Sequence, residues 1–201
     1  MMGTDTLFNR LAWRVTERLP AGAGGRVVLV TSARPREGKT RIATALAAAL
    51  VAQSGSAAAL VGCSPGSAAG DPGNPSLSSL LEAPGLDALP ARVADAAQVS
   101  RFAFGGNDRS LLFRSAAVAR AIEQLRGPFA FVVLDGPDLT DCGVLSHASD
   151  GVLLVVNAER TRREIVQGSL QASPMPGGKL LGVVLNESPR YVPRWVYRRA
   201  L

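Results

Sequence analysis

Runs of apolar residues without any alternation mark the candidate strands of this chain. Such runs are typical of strands that are buried on both faces of a sheet. They lie at residues 26–31, 129–134, 151–156 and 180–185, with shorter runs at 57–61 and 101–104. The pattern therefore predicts a sheet of about six short strands.

Stretches with helical spacing of apolar residues fall between these runs. They predict helices at residues 5–18, 39–53, 77–81, 110–126 and 160–171, and Gly127-Pro128 ends the fourth of them. A Gly-, Pro- and Ser-rich stretch at 64–75 predicts a loop. Strands that alternate with helices predict a three-layer α/β fold, with a mostly parallel sheet and helices on both faces. Ligands of such folds bind beyond the carboxyl ends of the strands.

We divide the chain of 201 residues into three parts. Residues 1–25 form an N-terminal helix and linker, residues 26–187 form the α/β domain, and residues 188–201 form a basic, aromatic tail. The net charge is +6, and four arginines without any acid in residues 190–201 carry +4 of it. The remaining body is near neutral and shows no helix-turn-helix or base-stacking pattern, so we do not expect nucleic-acid binding.

The composition also excludes several kinds of site. Two cysteines cannot build a structural zinc site, and a single histidine, His147, argues against a multi-histidine metal centre. The N-terminus lacks the apolar core of a secretory signal, and no stretch reaches 18 strongly apolar residues. We therefore expect a cytoplasmic protein in which Cys63 and Cys142 are free thiols.

A partial phosphate-loop motif follows the first predicted strand. The Walker A pattern is G-x-x-x-x-G-K-[ST], and here Gly38, Lys39 and Thr40 match its end, whereas Ala33 takes the place of its first glycine. Backbone N–H groups at the start of a helix bind phosphate, the lysine reaches the β- and γ-phosphates, and the hydroxyl is offered to Mg²⁺. The pattern predicts a P-loop NTPase-like fold. The expected nucleotide-binding residues of this loop are Ala33, Arg34, Pro35, Arg36, Glu37, Gly38, Lys39, Thr40 and Arg41.

An acid at the end of a later apolar strand completes a second nucleotide-site motif. Asp135 follows the run FAFVVL, which is the Walker B arrangement, in which a carboxylate holds Mg²⁺ directly or through water. Thr40 and Asp135 are therefore the expected metal ligands. Asp138 and Asp141 follow in the same segment, and we interpret both as helix caps.

These motifs together resemble the bacterial tyrosine autokinases of capsule and exopolysaccharide export (the CpsD/CapB type), which are relatives of MinD/ParA ATPases. The family's loop reads like TS-x-x-PGEGKS/T, against TSARPREGKT here, and its YDFVIIDTPP is similar to FAFVVLDGPD at 129–138. Its strand like aDgvllVv and its last strand, ending in lGvvlN, are similar to 149–156 and 181–186. The likeness covers residue 26 to about residue 197.

The resemblance implies a function and a set of partners. It implies binding of ATP or ADP with Mg²⁺, catalytic roles for Lys39 and Asp135, and contact of Asn186 with the adenine edge. It also implies a partner, an inner-membrane polysaccharide copolymerase that sets chain length, which would keep the protein peripheral to the inner membrane. The sequence leaves homo-oligomerisation open.

Several departures from the family pattern affect the expected chemistry. The family's second acidic motif, D-x-D after a strand, is replaced by Gly62-Cys63-Ser64, so both acids are lost. Arg36 replaces a loop glycine, and its guanidinium could block the loop or supply positive charge there. Phosphoryl transfer depends on positioning and charge stabilisation, so we expect weak or absent kinase activity.

Three alternatives remain open at this point. The chain could be an active autokinase that uses Tyr191 or Tyr197, with Asp138 or Asp141 replacing the lost acid. It could be a positioning ATPase of the MinD/ParA type that dimerises on ATP. It could also be a scaffold that has lost nucleotide binding, with Arg36 filling the site. We interpret His147 as a structural residue and Cys63 as a small buried filler.

Overall fold

Six strands form one sheet, and every neighbouring pair is parallel in the computed structural model. The structure describes residues 4–19, 24–65, 67, 70–82, 98–173, 175 and 179–188. The spatial order of the strands is β3-β2-β4-β1-β5-β6. The strands are β1 (Arg26–Ser32), β2 (Ala58–Gly62), β3 (Val99–Phe102), β4 (Phe131–Asp138), β5 (Gly151–Asn157) and β6 (Leu180–Asn186).

Helices connect consecutive strands and cover both faces of the sheet. They are α1 (Thr4–Arg18), α2 (Lys39–Ser54), α3 (Leu77–Glu82), α4 (Ser115–Arg126), α5 (Gly143–Ala148) and α6 (Arg163–Ala172). The predicted three-layer α/β fold is confirmed. None of the helices in the described part of the chain is long and apolar enough to cross a membrane.

The two faces of the sheet bury separate hydrophobic clusters. Successive side chains of β1 point to opposite faces, so Val27 packs in the cluster under α4 and Val28 packs in the cluster under α2. Leu46 of α2 and Ala121 of α4 are fully buried in these two clusters. Burying one such leucine side chain contributes about 2 kcal/mol. Residues of α1, including Val15, belong to the same cluster as α2.

The single long helix predicted over residues 110–126 is wrong. A 3₁₀ turn, Arg109–Phe113, comes first, and α4 begins only at Ser115. The Asp108 carboxylate accepts a hydrogen bond of 2.9 Å from the Ser110 backbone N–H and so starts the 3₁₀ turn. Arg114 then has ψ of 82°, which is not helical, and separates the two helices.

Two other predicted boundaries shift for identifiable reasons. The helix expected from residue 160 begins at Arg163, because Asn157 Oδ1 accepts hydrogen bonds from the backbone N–H groups of Glu159 and Arg160 and holds a turn there. The strand expected at 129–134 continues to Asp138, because β1 extends beside it and Ser32 pairs with Asp138. The described residues of the predicted loop at 64–75 contain no helix or strand, and residues 189–201 of the predicted tail lie outside the described residues.

The strand order determines where the loop after β1 lies. β1 is flanked by β4 on one side and by β5 on the other. The segment at 33–38 therefore leaves the carboxyl edge near the middle of the sheet, beside the end of β4, and leads directly into α2.

Candidate phosphate-binding site

The loop between β1 and α2 exposes an uncapped helix start. Gly38 precedes the first residue of α2 with φ of 90° and ψ of 21°, no side chain caps the helix, and its first turn contains no acid. The first N–H groups of a helix have no partner within the helix, and the helix dipole favours an anion at this end. This end of α2 therefore has the properties of a phosphate site.

Arg36 adopts a backbone conformation that is unusual for a residue with a side chain. Its φ is 64°, in the left-handed region that glycine occupies without strain. The motif that this loop resembles has glycine at this place, which is the residue that tolerates such a conformation best. The side chains of Arg34, Pro35 and Arg36 are exposed, whereas Ala33 is partly buried.

Glu37 holds the loop in shape from within. Its side chain is 3% exposed, and its Oε2 accepts a hydrogen bond of 3.2 Å from the Arg34 backbone N–H. Its other carboxylate oxygen, Oε1, accepts a hydrogen bond from the Thr161 hydroxyl, which lies between β5 and α6. The Glu37 carboxylate therefore connects the two ends of the loop and ties the loop to the neighbouring connection.

Asn186 contacts the same loop from the end of β6. Its Nδ2 donates a hydrogen bond of 2.9 Å to the Glu37 carbonyl oxygen. A Cβ atom at Gly38 would lie 2.2 Å from this nitrogen, so the site requires glycine for space as well as for its positive φ. Asn186 also borders a groove of about 550 Å³, which Leu11 and Leu185 line as well. Contact with adenine stays a prediction for Asn186.

Thr40 and Asp135 meet as the two motifs require. The Thr40 hydroxyl donates a hydrogen bond of 2.7 Å to Asp135 Oδ2, and Asp135 is 1% exposed at the carboxyl end of β4. A hydroxyl beside a carboxylate is a ligand pair that suits Mg²⁺ when phosphate oxygens and water complete the octahedron. The described residues contain no group of three or more His, Cys, Asp or Glu side chains that could hold a metal without such help.

Lys39 makes a contact that the sequence did not predict. Its Nζ donates hydrogen bonds to Asp138 Oδ1 and, at 2.9 Å, to Ser32 Oγ. The interpretation of Asp138 as a helix cap is therefore wrong, since its carboxylate faces the phosphate loop. Asp141 is not a cap either: Cys142 precedes α5 without a side-chain cap, and Asp141 forms an ion pair of 2.8 Å with the half-exposed Arg109.

The end of β2, next to Asp135, carries no acid. Gly62 pairs with Asp135 in the sheet register, and the Cys63 backbone N–H donates a hydrogen bond of 2.9 Å to the Asp135 carbonyl oxygen. Cys63 is fully buried, and burial, together with the nearby Asp135 carboxylate, raises the pKa of its thiol far above the usual value. Cys63 is thus a buried, protonated filler, as the sequence suggested.

His147 and Arg41 are the remaining residues that the sequence analysis considered. His147 lies in α5, where its Nδ1 is 2.9 Å from the Gly143 carbonyl oxygen, and it is not part of the loop. Arg41 is exposed in the first turn of α2. The structure thus brings together Lys39, Thr40, Asp135 and Asn186 around one loop, and it adds Ser32, Asp138 and Thr161, which only the sheet register and loop packing identify.

Two characterised proteins are similar to the chain over most of its length. The succinoglycan biosynthesis transport protein ExoP of Rhizobium meliloti is 31% identical over an alignment of 192 positions, which covers 86% of this chain. The chain spans only 23% of the length of ExoP. The tyrosine-protein kinase CpsD of Streptococcus agalactiae is 25% identical over an alignment of 202 positions, which covers 92% of this chain and 82% of CpsD. No protein-family model matches the chain.

Solved structures show the same fold. The kinase domain of the Escherichia coli tyrosine kinase ETK has a TM-score of 0.70 at 20% identity, with 92% of this chain and 74% of that domain covered. The chimeric protein CapA2B2 has a TM-score of 0.72 at 24% identity, with 91% and 84% covered. A Cyanothece McdA variant in complex with ATP has a TM-score of 0.54 at 21% identity, with 82% and 71% covered. The chain therefore has the P-loop NTPase-like α/β fold.

Proposed function

We propose that this chain is an ATP-binding component of an exopolysaccharide or capsule biosynthesis and export system. The chain belongs to the bacterial tyrosine autokinase (BY-kinase) family, within the MinD/ParA-like P-loop superfamily. The proposal rests on one observation above all. Lys39 and Thr40 of the first motif and Asp135 of the second lie together at the uncapped start of α2. The names of ExoP and CpsD support the biological setting.

Each loop residue has a proposed role in nucleotide binding. The backbone N–H groups of residues 33–41 hold the phosphates, Lys39 contacts the β- and γ-phosphates, and Asn186 contacts the adenine edge. Thr40 and Asp135 hold Mg²⁺, which neutralises phosphate charge and orients the oxygens around it. Lys39 and Asp135 are the residues on which any phosphoryl transfer depends.

We further propose that kinase activity is weak or absent. Gly62 and Ser64 replace the two acids of the family's second motif, and Gly62 lies directly opposite Asp135 in the sheet. Without a second carboxylate, the metal side of the site lacks charge and ligands that position the transferred phosphate. Each tenfold loss of rate requires only about 1.4 kcal/mol of transition-state stabilisation, so turnover can disappear while nucleotide affinity persists.

The proposed partner is an inner-membrane polysaccharide copolymerase that regulates chain length. In this arrangement the chain is cytoplasmic and reaches the membrane through that partner. Similarity to one part of the much longer ExoP supports such a partnership, because in ExoP the similar segment belongs to the same polypeptide as the rest of a biosynthesis transport protein.

Calorimetry with ATP and ADP, with and without Mg²⁺, tests nucleotide binding directly. We expect micromolar affinity that Lys39→Ala abolishes, because this change removes the side-chain cation at the phosphate loop. Arg120→Ala, which removes an exposed cation from α4, is the matched control and should bind like the parent protein. Absence of binding at millimolar nucleotide would refute the proposal and leave the scaffold interpretation.

Phosphotyrosine formation tests the second part. The parent protein should show little self-phosphorylation with ATP and Mg²⁺. The double variant Gly62→Asp/Ser64→Asp should phosphorylate itself at least tenfold faster. The same double variant with Lys39→Ala added is the inactive control. A parent protein that phosphorylates itself as fast as the double variant would instead favour the active autokinase. ATP-dependent dimerisation in light scattering would favour the MinD/ParA-type ATPase, and we expect an unchanged mass.

A further inference from the structure

The Asp138 carboxylate forms an ion pair with Lys39, the lysine of the phosphate loop. Its Oδ1 accepts a hydrogen bond from Lys39 Nζ, and Ser32 Oγ lies within 3.1 Å of both groups. The side chains of Lys39 and Asp138 are only 14% and 24% exposed. Partial burial strengthens an ion pair relative to one in bulk water, so Lys39 is firmly engaged before any ligand arrives.

The position of Asp138 gives it access to this lysine. It is the last residue of β4 and pairs with Ser32, the last residue of β1, in the sheet register. The loop that begins after Ser32 returns Lys39 to the same edge of the sheet. The family motif YDFVIIDTPP, which is similar to residues 129–138, has proline where this chain has Asp138. The carboxylate is therefore a feature of this chain and not of the family motif.

Three carboxylates lie at the phosphate loop, and Asp138 is the one that contacts Lys39. The carboxylates of Glu37 and Asp135 also face the loop, where they accept hydrogen bonds from the Arg34 backbone N–H and the Thr40 hydroxyl. Lys39 is largely buried beside Asp138, whereas the side chains of Arg34 and Arg36 are exposed. An incoming phosphate must therefore compete with Asp138 for Lys39.

We infer that Asp138 makes this site selective for a nucleoside diphosphate over the corresponding triphosphate, an inference that rests on the proposed nucleotide binding. The N–H groups at the start of α2 hold the inner phosphates of either nucleotide, and Lys39 contacts the β-phosphate in both, so competition with Asp138 at this phosphate is common to the two ligands. The terminal phosphate of a triphosphate depends on the lysine, and it also brings further negative charge beside Asp138. Selectivity of this kind comes from a repulsive group directed against one ligand.

The test compares the affinities of ADP and of the β,γ-imido analogue of ATP by calorimetry in EDTA, so that neither metal nor hydrolysis contributes. The parent protein should bind ADP at least tenfold more tightly than the analogue. Asp138→Asn should reduce this ratio at least tenfold, about 1.4 kcal/mol, mainly by tightening the analogue. Asp138→Ala should do the same and serves as a second variant if Asp138→Asn folds poorly by circular dichroism.

Asp141→Asn is the matched control, because Asp141 lies three residues later but pairs with Arg109 on the surface. It should leave the ratio unchanged. An unchanged ratio in both Asp138 variants, or an equal gain for both nucleotides, would overturn the inference while leaving nucleotide binding intact. If neither nucleotide binds the parent protein or the Asp138 variants, the proposed function itself fails, and selectivity fails with it.

Discussion

The Thr40 hydroxyl donates a hydrogen bond of 2.7 Å to the carboxylate of Asp135, although the two residues are 95 positions apart. This contact joins the start of α2 to the end of β4. Because Asp135 is 1% exposed, its carboxylate has little water around it and depends on such donors. The pair is therefore prepared to exchange this mutual hydrogen bond for a shared cation when phosphates arrive.

Asp135→Asn should remove the metal dependence of nucleotide binding. In the parent protein we expect Mg²⁺ to tighten ATP binding at least tenfold, since an anionic oxygen of Asp135 would bind the ion. The amide carries no charge, so Mg²⁺ should have less than a threefold effect in the variant, whereas affinity in EDTA should be unchanged or tighter. Calorimetric titration with and without Mg²⁺ measures both, and Thr40→Ser, which keeps the hydroxyl, should behave like the parent. Full Mg²⁺ dependence in Asp135→Asn would contradict this assignment.

Arg36→Gly should be more stable than Arg36→Ala. Both changes remove the guanidinium, but only glycine accepts the φ of 64° without strain. A left-handed conformation costs about 1–2 kcal/mol for a residue with a Cβ atom, and the greater freedom of glycine in the unfolded chain offsets part of this. Urea unfolding should therefore give a difference of about 1 kcal/mol.

The same pair of changes at Arg34 provides the control for Arg36. Arg34 lies in the same loop, and among the described residues only Arg36 and Glu187 have a positive φ outside glycine. At Arg34 alanine should be at least as stable as glycine. Equal stability of the two Arg36 variants would mean that this residue is not in the left-handed region in solution.

Arg126→Gln should destabilise the protein in a pH-dependent way. Arg126 Nη1 and Nη2 each donate a hydrogen bond of 2.8 Å to Asp150, whose Oδ2 also accepts one of 2.7 Å from the Val27 backbone N–H. The two side chains are 19% and 22% exposed. Removing the guanidinium leaves a largely buried carboxylate without its partner, so we expect a loss of about 2 kcal/mol at pH 7.

The pKa of Asp150 determines the direction of this pH dependence. Burial alone would raise the pKa, but the hydrogen bonds from Arg126 and Val27 outweigh burial and hold it below the usual value. A carboxyl group whose pKa is lowered by folding stabilises the protein above its unfolded pKa of about 3.9, and this stabilisation is lost as the pH falls through the folded value. Unfolding at a series of pH values should therefore show the gap between parent and variant closing toward pH 2. Arg120→Gln, at an exposed position of α4, should change stability by less than about 0.5 kcal/mol at every pH.

Both thiols should be unreactive in the folded protein. Cys63 and Cys142 are fully buried, and burial raises the pKa of each thiol, so almost no reactive thiolate forms at pH 8. Titration with Ellman's reagent should detect no rapidly reacting thiol in the native protein and two in guanidinium chloride. If one equivalent of thiol reacted at the rate of free cysteine, the segment that buries that cysteine would have to open in solution, contrary to this prediction.

Local sequence patterns predicted helices and strands well where burial of apolar residues defines the element. They predicted the element boundaries less well where side-chain hydrogen bonds set the end of a helix. The apolar runs of β1 and β5 are buried along almost their whole length, so their composition alone identified them. The sequence pattern did not predict the break at Arg114. Asp108, which caps the 3₁₀ turn, and the residues of that turn are types that also suit the start of a regular helix. The Asn157 turn shortened α6 for a similar reason.

Residue types within single strands, loops and helix starts were enough to predict the α/β fold class, the phosphate loop with Lys39 and Thr40, and the acid at Asp135. The contacts of Asp138 with Lys39 and of Asn186 with the Glu37 carbonyl oxygen join residues 99 and 149 positions apart, and no local pattern predicted them. Those contacts depend on strand order and register, which arise from packing of the whole sheet. A local pattern contains no information about which carboxyl ends become neighbours.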